Sequence, residues 1–145
     1  MLLPLLNAAT YAGLAVVIGA VVVRYLVLPR SGLAHSERVP PLRVAATAAA
    51  FASVAILLAA PARLALQVAQ LADPGESWAP ILRTVLVDTS LGRAMQLQAI
   101  WAAAVLMAFT VARVGRARGW SAATIGTLVL AATPALAGHA AAAEH

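Results

Sequence analysis

The stretch Val44–Ala62, VAATAAAFASVAILLAAPA, contains no charged residue and no alternation of apolar and polar positions. A helix of about 20 apolar residues crosses a hydrocarbon core about 30 Å thick, and this stretch can meet that length with modest extension. Three more uncharged stretches share the property: Met1–Val23, Ala94–Ala112 and Gly119–Gly138. In lipid a backbone must satisfy its own hydrogen bonds, which leaves helices or closed barrels. Continuous apolar runs without a two-residue period exclude the barrel. The expected fold is an all-α membrane protein, with four transmembrane helices in a bundle and residues 1–145 as a single domain.

Composition agrees. The chain is 63% hydrophobic and 10% charged, with a mean hydropathy of +0.91, unlike an ordinary soluble domain. Cysteine is absent, which removes disulfides and thiolate metal sites. The N-terminus reads as a membrane span rather than a cleavable signal, because Met1-Leu2-Leu3-Pro4 carries no basic residue.

The net charge of +5 comes from ten arginines and no lysine. They flank the spans in short loops, so topology explains them and nucleic acid is not an expected partner. Arg24, Arg30, Arg38, Arg43, Arg113, Arg116 and Arg118 fall on one side; Arg63, Arg83 and Arg93 fall on the other. The positive-inside rule then puts loops 29–43 and 113–119 in the cytoplasm and both termini in the periplasm of a bacterial inner membrane. Tyr25 and Trp120 are expected at the inner interface and Trp78 at the outer one.

Local signals mark the joints. Pro29 and Gly32 close span one, Pro40-Pro41 open span two, and Asp73-Pro74-Gly75 reads as a turn. Ala45, Ala49 and Ser53 in span two, and Ala122 and Gly126 in span four, have the spacing of close-packing faces. Ile81, Leu82, Val85 and Leu86 form one apolar face, which predicts a short amphipathic helix over 78–88 in the outer interface. Thr89 or Ser90 can cap span three, whose early residues Gln96 and Gln98 are polar.

Arg24 can snorkel to the inner headgroups. Arg63 should avoid lipid by reaching the outer headgroups or a polar group such as Asn7 or Gln67. Arg63, Gln67 and Gln70 share a helix face beyond Pro61, either as a polar side turned to water or as the lining of an outward vestibule.

No nucleophile–base arrangement and no phosphate-binding glycine loop occurs, so no enzymatic activity is expected. His35 reads as a solvated loop residue. His139 falls where span four meets the outer interface; it is either an interfacial histidine bonded to a neighbouring helix or a metal ligand. Imidazole suits copper and zinc, but one ligand does not make a site. Met95, Glu144, His145 and the N-terminal region are the candidates to complete it.

Two segments resemble the bacterial copper resistance D family. Leu82–Ala94, LRTVLVDTSLGRA, is similar to its outer loop and third-helix entry, including the spacing of Thr89 and Gly92. Thr133–Ala141, TPALAGHAA, is similar to its Gly-His-Ala helix ending, and the Arg63/Gln67 region is similar too. The resemblance implies an inner-membrane protein linked to copper uptake or tolerance, with His139 at the position of a copper-associated histidine. Family members usually continue into a second set of helices, and this chain resembles an N-terminal half. Two functions follow as expectations. One is a protein that moves or presents copper, its cofactor, at the periplasmic face. The other is a non-catalytic accessory subunit packing against a larger membrane complex. The expected partners are the lipid bilayer and either another membrane subunit or a second copy of the chain.

Overall fold

The computed structural model describes the backbone of residues 2–73 and 77–143, and side chains as far as Pro134. Among the described residues the fold is entirely helical: α1 (Leu2–Val22), α2 (Leu28–Arg30), α3 (Val39–Leu71), α4 (Trp78–Asp88), α5 (Ser90–Arg113) and α6 (Ala117–Ala143). A π-helical turn, Val23–Val27, joins α1 to α2, and a 3-10 turn, Ser36–Arg38, leads into α3. Three helical segments are long and apolar enough to cross a membrane: Leu2–Arg30, Ser36–Leu71 and Ser90–Arg113. The fourth long helix, α6, runs along α5.

The joints follow the sequence signals. Pro40 and Pro41 sit in the first turn of α3, where a missing N–H costs nothing because no carbonyl precedes it in the helix. Gly32 ends the first segment at φ +70°, and Gly115 turns the chain between α5 and α6 at φ +85°. These are backbone conformations that a side chain disfavours. The expected turn at Asp73-Pro74-Gly75 lies largely outside the described residues.

Packing is sequential, α1 on α3, α3 on α5 and α5 on α6, with a slighter contact between α1 and α6. The core is built from Val17, Ile56, Val105, Phe109 and Leu130, all fully buried. Ala49 and Ser53 are buried as the spacing predicted. The Ser53 hydroxyl returns to the Ala49 carbonyl at 2.8 Å, so a polar residue costs little there.

Helix α6 corrects the expected packing face. Ala122 is exposed, and the buried face of α6 is Ala123, Gly126, Thr127 and Leu130. Gly126 still provides the close approach, against Val105. Trp120, expected at the inner interface, is packed inside the bundle. It is 4% exposed and meets Phe109 edge-on, with ring centroids 5.7 Å apart. Tyr25 and Trp78 are exposed.

Helix α4 forms over the predicted residues, with Val85 buried and Leu82 on the exposed side. Its junction with α5 is tight. The Thr89 hydroxyl accepts from the Gly92 N–H at 2.9 Å and donates to the Val85 carbonyl at 2.6 Å, ending one helix and capping the next. A Cβ at Gly92 would lie 2.0 Å from the Val85 carbonyl oxygen, so only glycine fits. The Gln96 amide then donates to the Leu86 carbonyl at 2.9 Å.

A polar pocket inside one end of the bundle

The first half of α1, the end of α3, the start of α5 and the later part of α6 meet at the same end of the bundle. There Arg63 of α3 points inward. Its guanidinium donates to Asn7 Oδ1 of α1 at 3.3 Å and to Gln98 Oε1 of α5. Gln98 is 5% exposed, so its amide oxygen would lack a partner without this bond. Arg63 Nε and Gln67 Oε1 are buried with no hydrogen-bond partner. Asn7 is thus an Arg63 partner as expected, whereas the other partner is Gln98 and not Gln67.

A cavity of about 270 Å³ opens beside the guanidinium, lined by Thr10, Tyr11, Met95, Gln98 and Thr133 among others. Its polar walls are mostly self-satisfied. Thr10 donates to the Leu6 carbonyl at 2.9 Å, and Thr133 to the Leu130 carbonyl at 2.7 Å. The second bond has a specific cause: Pro134 has no N–H to give Leu130, its usual acceptor four residues back, and the Thr133 hydroxyl fills the gap. The stripe Arg63, Gln67, Gln70 is divided. Gln67 and Gln70 line a separate groove of about 310 Å³ with Val85 and Thr89, and Leu91 borders both spaces.

Of the candidate metal ligands, Met95 is buried, at 8% exposure, and lines the cavity. His139 lies on α6 five positions beyond Pro134; its side chain lies outside the described residues, as do Glu144 and His145 altogether. Among the described residues no group of three or more His, Asp or Glu could hold a metal. Met95 supplies one soft thioether, so the described donors do not by themselves fit a resident copper ion. His35 is exposed at the opposite end of the bundle, in the loop before α3.

Compared with known families, the chain matches the model of the copper resistance protein D-like N-terminal domain over residues 1–145. The chain belongs to this family. No curated protein and no solved structure matches it. Within this copper resistance protein D-like domain, the two segments that resembled the family now have structural roles. Thr89 and Gly92 build the α4–α5 elbow, and Thr133-Pro134 shapes the α6 wall of the cavity. The pairing of Arg63 with Gln98 was not anticipated from sequence. The available signal was a glutamine inside an apolar helix facing a span that carries an arginine near its end.

Proposed function

We propose that this domain handles copper as cargo in a bacterial inner membrane. In this reading α1, α3, α5 and α6 cross the bilayer, α4 lies in the outer interface, and the Arg63 end of the bundle faces the periplasm. The arginine asymmetry supports the orientation. The observation that carries the copper reading is Met95, a soft ligand buried in a cavity walled by Pro134, on the helix that continues to His139. Copper is presented through His139, with Met95, Glu144 and His145 as the groups that complete its coordination. The Arg63 guanidinium lines the same cavity and repels a cation, so coordination there needs an anionic group such as the Glu144 carboxylate.

The accessory-subunit reading has one observation of its own. Contact between α1 and α6 is slight, leaving a seam along which another membrane helix could pack.

One experiment separates the two. Copper is measured in the protein purified gently from its native membrane, for wild type, His139→Ala and Met95→Leu. Loss of copper in His139→Ala with unchanged helix content supports presentation through His139. Equal, weak binding by all three, together with a stoichiometric larger assembly, supports the accessory subunit instead.

A further inference from the structure

At the other end of the bundle a cavity of about 290 Å³ is lined by Arg24, His35, Arg38, Arg43, Ala117 and Trp120, among others. Three arginines line it, and no acidic residue does. The nearby Glu37 carboxylate is engaged locally, accepting from the Ala34 N–H at 2.7 Å. At about 30 Å³ per water, the space holds roughly ten waters, ample for a phosphate group.

Arg24 and Arg38 are held in place rather than free. Arg24 lies on the π-helical turn Val23–Val27, the kind of local widening often found at functional sites. Its guanidinium stands 5.7 Å from the Tyr25 ring and 6.0 Å from the buried Trp120 ring, cation–π contacts that fix its position. Arg38 is oriented by donation from Nε to the Leu33 carbonyl at 2.9 Å. Arg24 Nε is buried and has no hydrogen-bond partner. The first turn of α6, which starts at Ala117, adds the partial positive charge of a helix N-terminus.

We propose that this cavity binds a phosphate oxyanion, with Arg24, Arg38 and Arg43 as its cationic contacts and Trp120 as the wall that holds Arg24. Guanidinium forks match phosphate oxygens in pairs, and three of them give preference for an anionic group over a zwitterionic one. The same chemistry is offered by the headgroup of an anionic phospholipid and by soluble phosphate. The proposal is independent of the copper reading.

Trp120 is a built-in reporter. In full-length detergent-purified protein carrying Trp78→Phe and Trp101→Phe, its emission is followed during titration with dioctanoyl phosphatidylglycerol, dioctanoyl phosphatidylcholine or inorganic phosphate. A saturable change with phosphatidylglycerol and not phosphatidylcholine, weakened about tenfold or more by Arg24→Gln and by Arg43→Gln, is the expected result. A response to phosphatidylglycerol alone identifies a lipid headgroup as the source. An equivalent response to inorganic phosphate, with the same losses, identifies a soluble anion. No saturable response to any probe, an equal response to phosphatidylcholine, or a response that neither substitution weakens overturns the proposal. Arg43 is exposed, so Arg43→Gln carries the test if Arg24→Gln fails to fold.

Discussion

Arg63 and Gln98 stand on different helices, and the guanidinium of one donates to the amide oxygen of the other, tying the end of α3 to the start of α5. Each substitution in the pair leaves a different orphan. Gln98→Leu leaves a partly buried cation without its α5 acceptor and should destabilise the domain by about 3 kcal/mol. Arg63→Leu leaves a neutral amide and should destabilise it by about 1–2 kcal/mol. Reversible unfolding in mixed micelles should rank them in that order, with the double mutant closer to Arg63→Leu than to the sum. Additive losses would mean that the two residues do not act as a pair.

Gly92→Ala should be strongly damaging, because the new Cβ would collide with the Val85 carbonyl. A loss of about 3 kcal/mol is expected, against about 1 kcal/mol for Gly115→Ala, which meets no atom but has a positive φ. Thermal unfolding of the two variants side by side tests the order.

Thr133→Val should leave the Leu130 carbonyl without a donor and lower stability by about 1–2 kcal/mol. Adding Pro134→Ala restores an N–H at the position that Leu130 normally accepts from, so the double variant should recover most of the loss. Failure to recover would show that the hydroxyl matters for the cavity and not for the helix.

Fusions of a cytoplasm-active reporter in the 30–40 loop and at residue 145 should be active in the first case and silent in the second. A silent loop and an active C-terminus would invert the proposed topology.

The helices and their joints were legible because they depend on local quantities: apolar length, prolines in a first turn, a hydroxyl that caps. The site was legible only in part, because it depends on rotation about helix axes. Gln96 and Gln98 look equivalent in sequence, yet two residues turn a helix by about 200°. Gln96 therefore reaches outward to Leu86 while Gln98 reaches inward to Arg63. The Ala122 expectation failed in the same way, one position away from the buried Ala123. Trp120 follows a basic loop, which suggests an interface, but its position on α6 turns it onto Phe109.

Helix α3 carries Arg43 and Arg63 twenty positions apart, with only uncharged residues between them. At 1.5 Å per residue the two guanidinium-bearing positions are separated by about 30 Å, the thickness of one hydrocarbon core. The helix is therefore a ruler, with a charge at each end of the scale. In a thicker membrane one arginine would be drawn below the surface, and mismatch of this kind costs a fraction of a kcal/mol per Å. Only the Arg63 end has Asn7 and Gln98 to stand in for water, so that is the end at which such a membrane would submerge the chain.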